Sequence, residues 1–320
     1  MTLLPEFEYK RPENLGEILS LLSQYGEEAA LLAGGTDLIP RMKMGLIQPK
    51  VILSLSGIND LTYVRQEGER LKIGAFTTID ELQRHPTIGS HYPVLYEAAI
   101  LTASENIRLR GTVGGNIMQD TRCMDYNQSQ AWRGSSKTCI KMGGSICNAV
   151  KKGKRCFATY CGDLALALIS LGTLVCLESK EDKREIPLEN LFTGNGASPF
   201  SIRRGELLKE MIVPLSKTLG GYKKLRLRRS IDYSLASIAI GSNQEGTGRL
   251  VVGAVGPCPK TYAFSSFDQL GSLIRKAYED ATPAMNRPLS PLYRKRMIRV
   301  MATDLLKTIE AGVWMRKNKK

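Results

Sequence analysis

The chain has 320 residues, of which 42% are hydrophobic and 24% are charged. This composition excludes a disordered protein, and the length is typical of about two domains. Lysine and arginine (45) outnumber aspartate and glutamate (31), and the resulting formal net charge of +14 points to nucleic acid, an acidic protein or an acidic cofactor as a partner.

Helical and strand-like patterns alternate in the first third of the chain. Apolar residues at helical spacing predict a helix that Pro12 opens and Gly26 ends, and the turn residues at 67–69 predict a hairpin. The predicted elements are a helix at 12–26, strands at 29–33 and 51–55, a short helix at 38–44, hairpin strands at 62–64 and 71–73, and helices at 78–84 and 93–104.

The character of the sequence changes between residues 122 and 160. Aliphatic periodicity disappears there, and the segment contains eight basic residues against one acid, Asp125, for a net charge of +7. We interpret this segment as an insertion in a host domain. Beyond it, the patterns predict strands at 222–229, 236–240 and 250–255 and an amphipathic helix at 293–310.

Neither a membrane span nor an export signal is predicted. The longest apolar stretch, residues 164–177, is broken by Ser170, Gly172 and Thr173 and is shorter than the roughly 20 residues that a spanning helix needs. The N-terminus lacks a basic region followed by an apolar one. We therefore expect a cytoplasmic protein, in which cysteines are more often reduced or metal-bound than bridged.

Two glycine-rich turns follow predicted strands or helices. The first is LLAGGTDLI at 31–39, and the second is RGTVGGNIM at 110–118. Glycine lets backbone N–H groups approach an anion closely, and successive N–H groups in a turn suit phosphate. Two such turns could hold a pyrophosphate from both sides, although each pair could also be only a tight turn.

Four cysteines lie in the basic insertion: Cys123, Cys139, Cys147 and Cys156. Their spacing fits neither a compact ferredoxin motif nor the paired motif of a zinc ribbon. An iron–sulfur cluster, a zinc ion and free thiols all remain open at this point, and Cys161 could replace one of the four. With only two histidines in the chain, a histidine-based metal site or a Ser-His-Asp triad is not expected.

The two glycine turns, in this order, resemble the two FAD pyrophosphate loops of the flavin subunits of molybdenum hydroxylases, a family that includes xanthine dehydrogenase and carbon monoxide dehydrogenase. The segments ELLKEMIVP and YKKLRLRRSIDYSLASIAI fit the same family. A cysteine-bearing loop directly after the second turn also resembles the β subunits of 4-hydroxybenzoyl-CoA reductases.

The resemblance implies an α+β fold with an iron–sulfur loop insertion. It implies a two-subdomain FAD-binding domain of the PCMH (vanillyl-alcohol-oxidase-like) type, with subdomains at 1–56 and 57–216. The insertion at 122–160 lies in the second subdomain, and a C-terminal α/β flavoprotein domain follows at 217–320.

The resemblance also implies roles for individual residues. One side of the FAD pyrophosphate would be held by the first loop and the other side by the second. Asp163 would contact the ribityl or adenosine part, Lys224 would approach the isoalloxazine ring, and the four insertion cysteines would ligate a [4Fe–4S] cluster. The implied loop residues are Ala33, Gly34, Gly35, Thr36 and Asp37 in the first loop, and Thr112, Gly114, Gly115 and Asn116 in the second.

The function that the resemblance implies is electron relay, with no catalytic acid–base residue in this chain. The expected partners are a molybdopterin-binding large subunit, a [2Fe–2S] small subunit and a ferredoxin-like electron donor, with neither nucleic acid nor membrane. By resemblance the substrate is an aromatic acyl-CoA, handled by the partner subunit.

Two alternatives remain open. The chain could be the flavin subunit of another molybdenum hydroxylase that uses NAD or another acceptor. It could also belong to another class, as a zinc-stabilised, basic nucleic-acid-binding protein, although it contains no known nucleic-acid-binding motif.

Overall fold

The computed structural model describes residues 4–150 and 153–317. In this part of the chain the strands form three sheets. The first is parallel, in the order β1-β3-β2, and the second is antiparallel, in the order β4-β5-β8-β6-β7. Their strands are β1 (Glu8–Lys10), β2 (Ala29–Leu32), β3 (Val51–Ser54), β4 (Val64–Glu67), β5 (Arg70–Gly74), β6 (Leu174–Glu178), β7 (Lys183–Pro187) and β8 (Leu207–Pro214).

The third sheet lies in the C-terminal part of the chain and is antiparallel throughout, in the order β12-β11-β10-β9. The expected α/β arrangement of this domain is therefore wrong: its strands follow one another through hairpins and short loops, and its helices come after the sheet rather than between the strands. The strands are β9 (Leu219–Leu225), β10 (Ala236–Ser242), β11 (Gly248–Gly253) and β12 (Lys260–Phe264).

The helices bury their apolar faces against these sheets, and polar or glycine residues mark the ends of the first one. Asn14 accepts a hydrogen bond from the backbone N–H of Glu17 and caps the first helix, and Gly26 ends it at a φ of +52°. The helices are α1 (Leu15–Tyr25), α2 (Leu38–Lys43), α3 (Ile79–Arg84), α4 (Pro86–His91), α5 (Pro93–Leu101), α6 (Glu105–Arg108), α7 (Val113–Ile117), α8 (Gln130–Gly134), α9 (Asp163–Ser170), α10 (Leu270–Asp280) and α11 (Pro291–Lys317).

Helix α9 is the centre of the largest core. All eight of its residues are buried, and it packs against α5, β10 and β11. Its side chains share one hydrophobic core with residues of both the second and the third sheet, so it joins these two sheets. A helix that is apolar on every side is expected to be buried on every side. The carboxylate of Asp163 at its first position is consequently buried as well. No helix among the described residues combines the length and the apolar character needed to cross a membrane.

The basic insertion leaves the host fold and returns to it at one point. Arg122 and Thr159 exchange two backbone hydrogen bonds of 2.7 Å, and this bridge closes the base of the segment. Inside it, regular structure is limited to α8 and a single 3-10 turn in the residues that the structure describes. The segment is anchored to the loop between α2 and β3 by Arg133, whose guanidinium donates to the backbone carbonyl of Gly45 at 2.8 Å.

Candidate functional site

The first glycine loop connects β2 to α2 and lies directly against the second. A Cβ on Gly34 would come within 1.8 Å of the carbonyl oxygen of Arg110, so the two loops touch backbone to backbone. Gly35 has a φ of +73°, a conformation that favours glycine. The glycine pair is therefore required both by the turn and by the contact between the loops.

The second glycine loop opens α7. The hydroxyl oxygen of Thr112 accepts a hydrogen bond from the backbone N–H of Gly115 at 3.0 Å, which fixes the turn. The N–H of Gly114 donates to the carbonyl of Ala75 at 2.8 Å, and a Cβ on Gly114 would lie 2.8 Å from the Cβ of Ala75. The loop is thus held tightly against Ala75, the residue directly after β5.

A cavity of about 520 Å³ lies between the two loops. This volume is within the range of about 300–1,000 Å³ that small-molecule and cofactor sites occupy. Ten of the eleven residues expected to bind FAD line it, from both loops and from the start of α9. They are Ala33, Gly34, Gly35, Thr36, Asp37, Thr112, Gly114, Gly115, Asn116 and Asp163.

The carboxylate of Asp163 is held at the cavity wall by three donors. One oxygen accepts hydrogen bonds from the hydroxyls of Tyr222 and Ser234, the latter at 2.6 Å, and the other accepts from the ammonium of Lys224 at 2.8 Å. An ionised carboxylate can accept about four hydrogen bonds, so one position remains for a ligand. Burial raises the pKa of Tyr222 well above its ordinary value, with the charge of Asp163 adding to the effect, so this phenol stays a donor.

Two of the expected cofactor residues have structural bonds that the sequence did not indicate. The side chain of Lys224 is 1% exposed and lies behind Asp163, to which it is bonded, rather than on the cavity surface. The amide oxygen of Asn116 accepts from the backbone N–H of Leu164 at 3.1 Å, so it ties the second loop to α9. The Asn116 amide nitrogen is the part of this side chain left for a ligand.

Charged side chains connect the cavity to the basic insertion. The carboxylate of Asp37 is paired with Arg122, the first residue of the insertion. Arg41, on the cavity wall, donates to Asp120 at 2.8 Å, and Lys141 of the insertion donates to the other oxygen of Asp120 at 2.7 Å. The insertion is thus bonded to the cavity wall through two chains of ion pairs.

Several cavity residues were missed by the sequence analysis. The loop after β9 forms one wall, and the segment between residues 192 and 206 contributes Ile202. The guanidinium carbon of Arg122 lies 4.4 Å from the centre of the Tyr233 ring, so the insertion meets the loop between β9 and β10, called the C-terminal loop below, beside the cavity. The wall residues of the C-terminal loop are Arg228, Ile231, Asp232 and Tyr233.

The structure brings the four insertion cysteines to one place. Cys123, Cys139, Cys147 and Cys156 line a single small cavity of about 10 Å³, beside Lys141, and none of these four forms a disulfide. Burial raises the pKa of Cys123 and Cys156, so these two thiols are protonated at neutral pH.

The arrangement of these thiols differs from that of a single-ion site. A tetrahedral zinc ion needs four sulfurs about 3.8 Å apart, from Zn–S bonds of about 2.3 Å. Within residues 4–150 and 153–317, no group of three or more histidines, cysteines or acids is arranged to hold a metal ion. The cysteines are therefore clustered, but not set around one ion.

Comparison with known proteins identifies related chains. Residues 5–216 match the family described as FAD binding domain in molybdopterin dehydrogenase. The chain is 30% identical to the carbon monoxide dehydrogenase medium chain of Afipia carboxidovorans over 78% of its own length and 73% of that protein. It is 25% identical to the nicotinate dehydrogenase FAD-subunit of Eubacterium barkeri, over 97% of this chain and 99% of that one.

The fold is shared along nearly the whole chain. A solved structure of carbon monoxide dehydrogenase from Hydrogenophaga pseudoflava is similar with a TM-score of 0.76 and 26% sequence identity, covering 97% of this chain and 99% of that chain.

Proposed function

The chain belongs to the family of FAD-binding domains of molybdopterin dehydrogenases, and we propose that it is the flavin subunit of a molybdenum hydroxylase-type complex. The observation that carries this proposal is the single cavity closed by both glycine loops and lined by ten of the expected cofactor residues. The curated relatives are a medium chain and an FAD-subunit, which supports a partnership with a molybdopterin-binding large subunit and a [2Fe–2S] small subunit.

The residues present fit FAD. Gly34, Gly35, Gly114 and Gly115 bring the backbones of both loops to the cavity wall, where a pyrophosphate can approach closely. In the second loop the N–H groups of Gly114 and Gly115 already donate within the protein, so the Asn116 side-chain amide would be the donor from this loop. Asp163, fixed by its three donors, would accept a hydrogen bond from a hydroxyl of the cofactor. When bound, FAD supplies both two-electron and one-electron redox chemistry, while the protein binds and orients it and tunes its electronics.

Gly115 provides the test of the cavity. Gly115 lines the cavity, and a Cβ there would lie 2.8 Å from Thr112 Oγ1, so Gly115→Val disturbs the turn that Thr112 fixes at the cavity wall. The matched control is Gly89→Val in α4, where a Cβ would have no atom within 4 Å. We expect Gly115→Val to lose most of its FAD while the control retains it. Full FAD occupancy in Gly115→Val would reject the site.

For the insertion, we propose a [4Fe–4S] cluster held by Cys123, Cys139, Cys147 and Cys156. Four thiols lining one cavity support it, because each cysteine of such a cluster ligates a different iron, so the four sulfurs need not surround a single ion. The basic character of the segment would offset the negative charge of the cluster. The cavity of about 10 Å³ is too small for a four-iron core, so binding requires the cysteine side chains to move outward. Cys123 and Cys147 are only half-buried, which leaves them room to do so.

Iron analysis tests the cluster. Anaerobically purified chain is expected to contain about four irons, and Cys147→Ser is expected to lose them while keeping FAD. Cys176→Ser is the matched control, because Cys176 is a buried core residue of β6. Stoichiometric zinc in place of iron would reject the cluster without affecting the flavin proposal.

With a cluster in the insertion, a 4-hydroxybenzoyl-CoA reductase-like activity becomes the more specific proposal. A ferredoxin-like donor would deliver electrons to the cluster, and the partner subunit would handle the aromatic acyl-CoA. The alternative within the family is an NAD-linked or other hydroxylase flavin subunit. Flavin reduction by NADH in the absence of ferredoxin would favour that alternative.

We also propose the division into segments 1–56, 57–216 and 217–320, with each of the three sheets falling in one segment. Limited proteolysis tests it: cleavage is expected first near residue 217 and in the insertion, and initial cleavage within β10 would contradict the division.

A further inference from the structure

The loop between α10 and α11 is bonded to both proposed cofactor sites by two consecutive residues. The side-chain amide of Asn286 donates to the sulfur of Cys123 at 3.1 Å. The guanidinium of Arg287 donates to the sulfur of Cys161 at 3.0 Å, and Cys161 lines the FAD cavity. One dipeptide from the C-terminal domain thus touches a sulfur at each site.

Further bonds hold this loop in place. The amide of Asn286 also donates to the carboxylate of Asp125 at 2.6 Å, which orients it toward Cys123. Arg287 also donates to the backbone carbonyl of Ser234 at 3.2 Å, and the hydroxyl of Ser234 holds Asp163. The dipeptide is therefore fixed at both ends rather than resting on the surface.

A second arginine stands behind the first. Arg294 is fully buried, donates to the carbonyl of Ala284, and leaves its Nε and Nη1 without a hydrogen-bond partner. Burial lowers the pKa of Arg294 to about 10, with the charge of Arg287 adding to the effect, so it remains protonated at neutral pH. Among the residues that the structure describes, neither arginine has an ion-pair partner, so two positive charges stand uncompensated behind Cys161.

We propose that Asn286 and Arg287 are positioning residues that tune the two redox sites from one loop. Arg287, with Arg294 behind it, would raise the reduction potential of FAD, because a positive charge stabilises the more negative reduced cofactor. Asn286 would raise the potential of the cluster, because hydrogen bonds to ligand sulfur stabilise its reduced state. The Asn286 part rests on the proposed cluster, whereas the Arg287 part needs only bound FAD.

The flavin part is tested by redox titration of the FAD-loaded full chain, followed by flavin absorbance. Arg287→Leu is expected to shift the ratio of reduced to oxidised flavin about tenfold toward the oxidised form, which is about 30 mV for a two-electron couple. Arg287→Lys keeps the charge and is expected to shift it less. Arg296→Leu removes an exposed arginine two residues from Arg294 and is expected to leave the midpoint unchanged.

The cluster part is tested by following the reduced cluster with electron paramagnetic resonance. Asn286→Ala is expected to lower the cluster midpoint at unchanged iron content, with no change in the flavin midpoint. A wild-type flavin midpoint in Arg287→Leu overturns the flavin part, and a wild-type cluster midpoint in Asn286→Ala overturns the cluster part. If the wild-type chain holds no iron, the proposed cluster and the Asn286 role fail together, while the Arg287 result still stands.

Discussion

Replacing Gly34 by alanine is expected to separate the two loops that form the FAD cavity. The added Cβ would lie 1.8 Å from the carbonyl oxygen of Arg110, whereas ordinary contact begins at 3.4 Å, so the loops must move apart by about 1.6 Å. Because the obstacle is backbone, no side-chain rotation relieves it. Overpacking of this kind lowers the free energy of unfolding by about 1–3 kcal/mol.

The same movement weakens cofactor binding. If the loop N–H groups bond the FAD phosphates as proposed, a separation of this size breaks at least one of these bonds, and a hydrogen bond to a charged group contributes about 1.5–3 kcal/mol. The dissociation constant of FAD is therefore expected to rise roughly ten- to a hundredfold in Gly34→Ala. FAD titration of the apoprotein measures the binding, and urea denaturation of the apoprotein measures the stability.

Gly89→Ala is the matched control for Gly34→Ala. Gly89 lies in α4, and a Cβ there would meet no atom within 4 Å. Alanine is favoured over glycine in a helix by about 0.5–1 kcal/mol, so this control should be slightly more stable and bind FAD normally. Wild-type FAD affinity and stability in Gly34→Ala would refute the backbone contact between the loops.

Three further predictions concern charges. Lys224→Met leaves the buried carboxylate of Asp163 without its cation and should lower the free energy of unfolding by about 3–5 kcal/mol in urea denaturation; a loss below about 1 kcal/mol would contradict the pair. Burial opposes ionisation of Glu206, but hydrogen bonds from Arg184 and from the backbone N–H of Arg203 lower its pKa below the ordinary 4.5. The ionised carboxylate therefore stabilises the folded state fully above pH 4.5, and this stabilisation is lost as the pH falls through the lower folded-state pKa. Acid denaturation should therefore be less steep in Glu206→Gln, and identical curves for the variant and the wild type would contradict this. Reduction by an acidic electron carrier should slow as salt rises, because the insertion is basic, and a rate independent of salt would contradict docking there.

The glycine loops show what could be predicted from local sequence. The strand, turn and helix around Gly34 and Gly35 follow from apolar runs and from a glycine pair that suits a tight turn, and the structure contains all three. The hairpin of β4 and β5 was predicted for the same reason. These features depend on residues that are close together in the chain, so the residue types of a short segment are enough to predict them.

The contacts between distant segments could not be predicted in this way. Nothing in the sequence indicates that the Asn116 amide would cap α9 or that Lys224 would pair with Asp163, 61 residues away. Tyr233 and Ile202 reach the cavity only because the C-terminal loop and the 192–206 segment fold over it. The antiparallel C-terminal sheet depends on strand pairing, which side-chain patterns do not specify.

The clustering of the cysteines falls between these cases. Their concentration in one aliphatic-poor segment left a cluster, a zinc ion and free thiols open, and the structure brings the four around one cavity. The bonds that set this site beside the FAD cavity, from Lys141 to Asp120 and from Arg122 to Asp37, join the insertion to residues outside it. Such ion pairs cannot be assigned from charge counts, because a basic segment offers many equivalent donors.

The central claim is that both glycine loops bind the pyrophosphate of one FAD. An experimental structure of the FAD-loaded chain tests it most directly. We predict density for one FAD in the cavity, with its phosphate oxygens within hydrogen-bonding distance of backbone N–H groups of residues 33–37 and of the side-chain amide of Asn116 in the second loop. Density for the phosphates against only one loop, or for FAD outside this cavity, would contradict the claim.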